Sequence, residues 1–160
     1  MATRTSAPHG AYAAIMGTFA TGLAGAGLVA RLLGREPREH GGLDFIVLGA
    51  ATFKAARTIS RDEVASFIRE PFVEGEAHEG GEEPVDSGDL RQAIGELVTC
   101  SRCIGTWVAG GLTATQIIAP RFGRLLTWSL AAAGANDFLQ AGFAALTGKS
   151  NELEQRSGSS

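Results

Sequence analysis

The sequence predicts an all-α fold, an integral membrane bundle of about four transmembrane helices with a polar, partly helical segment between the second and the third. Two observations lead to this prediction. Of the 31 charged residues, 17 lie between Lys54 and Arg102, whereas the flanking thirds contain long apolar tracts with almost none. The chain also has 22 glycines in 160 residues, and many lie inside those tracts, where close helix packing in lipid tolerates them.

The first predicted span is 11–33, which carries no charge before Arg31 and has the length of about 20 residues that a crossing requires. Gly17, Thr21 and Gly25 recur at every fourth position, and this row of small residues favours the docking of another helix. The arginines from Arg31 onward are typical of a stop-transfer flank rather than of a cleaved signal peptide.

The second predicted span is 43–59, and it is short or re-entrant. Only the residues between Asp44 and Lys54 are uncharged, so both side chains must lie near opposite interfaces. Lys54 can extend its long stem toward the headgroups, and Arg57 then lies at the boundary.

Residues 60–103, here called the central segment, are predicted to be cytoplasmic and to contain short amphipathic helices and an acidic loop. Ser60 and Glu63 have the spacing of a capping box. The apolar residues that follow share one helical face, which predicts a short helix at the membrane surface: Val64, Phe67 and Ile68. The loop, 74–89, carries seven acidic residues without an apolar period, which is typical of a flexible segment.

The third and fourth predicted spans are 104–120 and 125–148, followed by a disordered tail, 149–160. Trp107 lies near the start of the third span, at headgroup level. Asp137 lies near the middle of the fourth, where a carboxylate costs on the order of 3 kcal/mol to insert. We therefore expect it to face the bundle interior and to pair with Lys54 or Arg57 of the second span, as a structural ion pair or as part of a proton or ion pathway.

The distribution of basic residues predicts the topology, because Lys and Arg accumulate in short cytoplasmic loops. With both termini inside, the larger group of basic residues is cytoplasmic: Arg4, Lys54, Arg57, Arg61, Arg69, Arg91, Arg102, Lys149 and Arg156. The smaller group is then outside: Arg31, Arg35, Arg38, Arg121 and Arg124. The net charge of −3 gives no basic surface for nucleic acid.

Cys100 and Cys103 are the only cysteines, and they lie where the central segment enters the third span. A helix N-terminus and the neighbouring Arg102 favour a thiolate there. The pair is a candidate for thiol–disulfide exchange, for two ligands of a soft metal, or for simple packing of a helix start. A four-ligand zinc site needs two more ligands, and no histidine has suitable spacing.

The motifs occur in a fixed order: Asp44, Arg57-x-Ile59-Ser60-x-Asp62, Arg69-x-Pro71-Phe72, Gly95-Glu96-Leu97, Cys100-x-x-Cys103 and Trp107. This series resembles the bacterial domain-of-unknown-function 1360 family over roughly Asp44 to Gln140. The resemblance implies a small bacterial membrane protein without an established activity, some relatives of which are associated with sporulation.

From these observations we expect a multi-pass protein of the bacterial inner membrane that acts as a structural or interaction component rather than as an enzyme. Its partners are the lipid bilayer, a membrane or cytoplasmic protein bound through 57–102, and in one alternative a second copy of the chain; nucleic acid is excluded and no cofactor is predicted. The residues expected to carry structure or interaction are Asp44, Arg57, Asp62, Arg69, Pro71, Phe72, Glu96, Trp107 and Asp137. Two alternatives stay open, a membrane thiol-redox or metal-binding protein that uses Cys100 and Cys103, and a soluble helical domain.

Overall fold

The computed structural model describes residues 8–35, 41–75 and 81–158, and most of these residues are helical. The described α-helices are α1 His9–Leu32, α2 Gly42–Arg61, α3 Ser66–Arg69, α4 Leu90–Thr99, α5 Ser101–Ile118 and α6 Pro120–Gly158. Two 3₁₀ turns, Glu63–Ala65 and Glu70–Phe72, flank α3. Strand β1, Val73–Glu74, pairs antiparallel with β2, Glu83–Pro84. The predicted all-α class is confirmed.

Local chemistry sets several helix ends. Gly34 follows α1 with a φ of 63°, a left-handed conformation that suits glycine at a helix C-terminus. The Gly41 N–H donates to the Asp44 carboxylate over 3.1 Å at the start of α2. Asp89 caps α4 by accepting from the Arg91 N–H over 2.8 Å.

The core lies where α2, α5 and α6 meet. Its buried members are Val47, Ala51, Leu112 and Ala131, and partly buried apolar side chains pack around them. Gly134 of α6 faces the α2 backbone, and a Cβ there would lie 3.1 Å from the carbonyl oxygen of Ala50. Small residues therefore let α2 and α6 approach closely.

Helix α1 packs on α5 through large side chains rather than through its row of small residues. A Cβ placed on Gly110 would lie 3.1 Å from both Phe19 and Leu23. No atom of the described chain lies within 4 Å of a Cβ built on Gly17 or Gly25. The predicted docking row thus faces away from its own chain, because the two bulky residues occupy the α5 contact.

Among the described residues, α1 alone is long and apolar enough to cross a membrane, and only 6% of its apolar window is buried within the protein. The predicted bundle of four spans is therefore not confirmed. The other long helices are diluted by polar residues: Asp44, Lys54 and Arg57 in α2, Gln116 with several threonines and glycines in α5, and Asn136, Asp137 and Gln140 in α6.

Helix α6 is longer than the predicted fourth span and continues through most of the predicted disordered tail, 149–160, as far as Gly158. Side-chain pairs one turn apart stabilise this part of the helix. Lys149 Nζ lies 3.0 Å from Glu152 Oε2, and Arg156 pairs with the same carboxylate. These pairs explain why the polar tail is helical.

The central segment differs locally from the prediction. Helix α2 runs on to Arg61 with Ser60 buried inside it, so no capping box forms at Ser60. Val64, Phe67 and Ile68 follow on a 3₁₀ turn and on α3, and they are 75%, 70% and 39% exposed. The predicted loop 74–89 contains the ends of β1 and β2, and its residues 76–80 lie outside the described residues.

Candidate functional site

A cleft of about 390 Å³ lies between α2 and α6, next to the central segment. Charged and aromatic side chains line it: Phe53, Lys54, Arg57, Asp62, Asp137, Phe138 and Ala141. Most of these residues lie on one face of α2 and on the facing side of α6. Next to the cleft, small residues such as Gly134 of α6 let the two helices pack closely.

Lys54 lies between the two carboxylates of this cleft. Its Nζ lies 2.9 Å from Asp137 Oδ2 and 3.7 Å from Asp62 Oδ2. The Thr58 hydroxyl donates to the same Asp62 oxygen over 2.7 Å. The Lys54 side chain is 21% exposed and the Asp137 side chain 38%, so the pair is partly open to its surroundings. The sequence predicted that Asp137 pairs with Lys54 or Arg57, and in the structure Lys54 makes the ion pair.

The ion pair lies in the half of α2 that leads into the central segment. Because α6 begins at Pro120, Asp137 is about 26 Å along the helix at 1.5 Å per residue. Lys54 lies about 10 Å before the end of α2 at Arg61 by the same rise. Arg57, which lines the same cleft, lies closer still to the central segment, and Asp62 lies within it.

Arg57 lies one turn after Lys54. It lines the same cleft and is exposed. Within ranges 8–35, 41–75 and 81–158, its guanidinium takes part in no ion pair or hydrogen bond. It is the cation of the cleft that the described protein leaves uncompensated.

Arg69 forms a buried clamp directly beside the cleft. Its side chain is 0% exposed, and its Nε donates to Glu82 Oε2 over 2.6 Å. Its Nη1 donates to the carbonyl oxygens of Ile59 and Asp62, over 2.7 and 3.0 Å. The clamp ties the C-terminal end of α2 to Glu82, the residue that precedes β2. Arg69 thus stabilises the central segment from inside and offers no surface to a partner.

Pro71, Phe72 and Gly95 continue this framework. The Pro71 carbonyl accepts from Arg91 Nε over 2.7 Å, and the Phe72 carbonyl accepts from the Val85 N–H over 3.1 Å. A Cβ on Gly95 would lie 2.4 Å from the Phe72 carbonyl oxygen. Only a glycine lets α4 lie against this turn, which explains the first position of the Gly-Glu-Leu motif.

Glu96 and Trp107 join α1 to the rest of the molecule. The Glu96 carboxylate accepts from the Tyr12 hydroxyl and from Gln92 Nε2, the latter over 3.0 Å. The rings of Trp107 and Phe19 are 5.1 Å apart at an angle of 55°. The N-terminal half of α1 therefore lies beside α4 and the start of α5.

Cys100 and Cys103 are free thiols at the start of α5. Cys100 caps the helix, and its Sγ accepts from the Cys103 N–H over 3.3 Å. A hydrogen bond from the Cys103 thiol lowers the pKa of Cys100, with help from backbone donors and Arg102. The same bond, together with burial, raises the pKa of Cys103 to about 11. The pair is therefore asymmetric, and Cys100 is the better nucleophile.

No group of three or more His, Cys, Asp or Glu side chains among the described residues is arranged to hold a metal ion. The cysteine pair supplies two thiol ligands, and a metal there would need the remaining ligands from a second chain or another molecule. The described structure thus gives the metal-binding alternative no complete ligand set.

The predicted site residues fall into connected groups rather than one centre. Arg57, Asp62 and Asp137 share the cleft, and the Asp62 main chain connects them to Arg69. Asp44 lies apart, at the opposite end of α2.

Three partners were not predicted: Tyr12, Glu82 and Thr127. The Gln116 amide donates to Thr127, which is only 2% exposed, over 2.9 Å. The amide within an apolar tract was a usable signal for this last pair, since a buried amide requires a partner.

This geometry defines a class: a small helical protein in which three packed helices carry a charged interhelical cleft and a clamped polar segment. The chain belongs to the family described as "Protein of unknown function (DUF1360)", whose model matches residues 47–143. The resemblance found in the motifs is thereby confirmed. The matched region runs from α2 into α6 and contains the cleft, the Arg69 clamp and the cysteine pair.

Two relatives from Bacillus subtilis strain 168 are similar to this chain. The "Sporulation protein YjcA" is 33% identical over 104 residues, which cover 58% of this chain and 84% of the relative. The "UPF0713 protein YngL" is 29% identical over 99 residues, which cover 61% and 76%. No solved structure matches the chain.

Proposed function

We propose that this chain is a multi-pass protein of the bacterial inner membrane that serves as a structural or interaction component, with the spans 11–33, 43–59, 104–120 and 125–148, which fall largely on α1, α2, α5 and α6. On this proposal the central segment is cytoplasmic and binds a protein partner. The membrane-embedded part positions that segment.

The observation that carries the proposal is the apolar exterior of the helices. Large apolar side chains are exposed along the outward faces of α1, α2 and α6: Met16, Leu28, Leu32, Leu43, Phe45, Ile46, Phe138, Leu139, Phe143 and Leu146. Water-soluble monomers rarely expose contiguous apolar patches of this kind, whereas lipid covers them without cost. The polar pairs Lys54–Asp137 and Gln116–Thr127 lie instead between helices.

The direction of the helices supports the predicted topology. The Tyr12–Glu96 hydrogen bond brings the start of α1 to α4 of the central segment. Helix α2 ends in that segment and α5 begins from it. Helix α6 runs parallel to α2, because Gly134 faces Ala50 and Asp137 faces Lys54. One end of the bundle therefore gathers the start of α1, the central segment and the C-terminal half of α6.

Membrane fractionation tests the location. We expect the full chain to remain in bacterial membranes after high-salt and carbonate washes, and to require detergent for extraction. Recovery of a monodisperse, detergent-free protein from the cytosol would instead establish the soluble helical alternative.

Thiol labelling tests the orientation. A membrane-impermeant maleimide should label Cys100 in inverted vesicles and leave it unlabelled in right-side-out vesicles. An R124C variant without the native cysteines is the control, because Arg124 follows the opposite end of the bundle, and it should show the reverse pattern. Labelling of Cys100 from outside only would contradict the topology.

The partner surface that we propose consists of Val64, Phe67 and Ile68, which are exposed on the central segment beside the buried Ala65 and Arg69. A V64S/F67S variant should lose partner co-purification at unchanged protein level, whereas R61Q on neighbouring α2 should retain it. Equal recovery of the partner with V64S/F67S would contradict this surface. Loss of membrane attachment in the same variant would assign these side chains to the bilayer surface instead.

A thiol-redox function is the second candidate, and the polarised Cys100–Cys103 pair supports it. Thiol trapping in growing cells discriminates between the two functions. If the pair cycles between dithiol and disulfide with growth condition, redox chemistry gains support; if both cysteines stay reduced throughout, they serve as the cap of α5.

A further inference from the structure

The charges of the cleft between α2 and α6 balance only when all four charged residues are counted. Lys54 lies within 4 Å of two carboxylates, those of Asp137 and Asp62. Arg57 supplies the compensating positive charge, yet its guanidinium makes no hydrogen bond or ion pair with any residue of the described ranges. The cleft thus offers a free cation on one side and a surplus of carboxylate oxygen on the other.

This arrangement of charges favours a ligand that carries both a negative and a positive group. A simple anion would satisfy Arg57 but leave the cleft with a net negative charge next to Asp62 and Asp137. A zwitterion that joins a phosphate to an ammonium satisfies both sides, because guanidinium binds phosphate and a carboxylate binds ammonium. The group of charges therefore favours a zwitterionic headgroup over an anionic one.

The aromatic walls of the cleft favour a ligand that has an apolar chain as well as a charged group. Phe53 and Phe138 flank the charges, with ring centroids 5.3 Å apart. They are 44% and 65% exposed, so an acyl chain can lie along them on the outer face of the bundle. The volume of about 390 Å³ falls within the roughly 300–1,000 Å³ of small-molecule sites.

We propose that this cleft is a binding site for a zwitterionic phospholipid of the phosphatidylethanolamine type, with Arg57 on the phosphate, Asp62 and Asp137 toward the ammonium, and the two phenylalanines against an acyl chain. The inference rests on the proposed membrane location. The cleft lies near the end of α2 that meets the central segment, which on that proposal is the depth of the cytoplasmic headgroups.

Native mass spectrometry of the full chain in a mild non-ionic detergent tests the site. The protein is mixed with equal amounts of phosphatidylethanolamine and phosphatidylglycerol that carry the same acyl chains. We expect adducts of the zwitterionic lipid to exceed those of the anionic lipid by about tenfold. In R57Q the adducts of both lipids should fall, because the phosphate of either headgroup loses its guanidinium; Arg57 is exposed, so its loss leaves the fold intact.

R61Q is the matched control, since Arg61 lies on the same helix one turn later but does not line the cleft. It should keep the wild-type amount of adduct. Equal adducts of the two lipids in the wild type, a preference for phosphatidylglycerol, or the same amount of adduct in R57Q and R61Q would each overturn the proposal.

Soluble competitors separate a lipid headgroup site from a phosphate site. Glycerophosphoethanolamine should displace the lipid more effectively than inorganic phosphate at equal concentration; equal displacement would overturn zwitterion selectivity. If carbonate extracts the protein from membranes, the proposed membrane location is wrong. If the protein stays in the membrane but shows no lipid preference, only the lipid-binding inference is wrong.

Discussion

The ammonium of Lys54 lies 2.9 Å from the carboxylate of Asp137 and joins α2 to α6, the two helices that pack most extensively against each other. Asp62 lies 3.7 Å from the same ammonium on its other side. One lysine therefore pairs with two carboxylates. Loss of either acid leaves one ion pair in place. Loss of the lysine leaves two negative charges next to each other.

This inequality predicts the order of stability among cleft variants. D137N should lower the free energy of unfolding by on the order of 1 kcal/mol, since the pair is partly exposed and its attraction is screened. K54M should cost more, because it leaves Asp62 and Asp137 without their shared cation. Thermal unfolding in detergent measures both, and K149M on exposed α6 is the control. A larger loss for D137N than for K54M would contradict the arrangement.

Substitution of Arg69 should lower the free energy of unfolding much more than substitution of any surface arginine. R69M should destabilise the protein by about 3–5 kcal/mol, because it leaves the Glu82 charge and two carbonyl oxygens buried without their partner. R69K should be intermediate, since an ammonium cannot reproduce the fork of the guanidinium. Hydrogen exchange of α4 should quicken in R69M and stay unchanged in R61M. Wild-type exchange in R69M would show that the clamp is dispensable.

Two glycines should respond to alanine in opposite ways. A Cβ on Gly95 would lie 2.4 Å from the Phe72 carbonyl oxygen, whereas nothing lies within 4 Å of one on Gly111. G95A should therefore lower stability by about 1–3 kcal/mol. G111A should raise it by up to about 1 kcal/mol, because alanine favours the helix and reduces the freedom of the unfolded chain. Melting temperatures of the two variants test this, and a shift in the same direction would refute it.

The sequence predicted the long helices well because their signal is local. Uncharged apolar tracts placed α1, α2 and α5 to within three residues at each end. It also predicted that Asp137 pairs with Lys54 or Arg57, since a carboxylate in an apolar tract requires a partner, and Lys54 is the one that does so. The helical tail was missed although its cue was present, in the i, i+3 and i+4 spacing of Lys149, Glu152 and Arg156.

The contacts of the central segment could not be predicted from the sequence, because they depend on tertiary packing. Seven acidic residues in 74–89 are equivalent as sequence, yet Glu82 is the one that meets Arg69. Gly95 and Gly111 likewise differ only in which backbone lies opposite them. The same limit applies to Arg69 itself, which the sequence marked for structure or interaction without separating the two and which the fold buries.

The hydrogen bond between the two thiols predicts unequal reactivity with pH. Because the Cys103 thiol lowers the pKa of Cys100, more Cys100 is thiolate at neutral pH, and it should alkylate first. Cys103, with a pKa of about 11, should react only in strongly alkaline solution. C103A removes the donor, so the pKa of Cys100 rises and its alkylation midpoint should move to higher pH. C103S keeps a hydroxyl donor and should move it less. Iodoacetamide rates between pH 6 and 11, followed by peptide mass spectrometry, measure these midpoints. A single midpoint shared by both cysteines, or an unchanged midpoint of Cys100 in C103A, would show that the thiols do not interact.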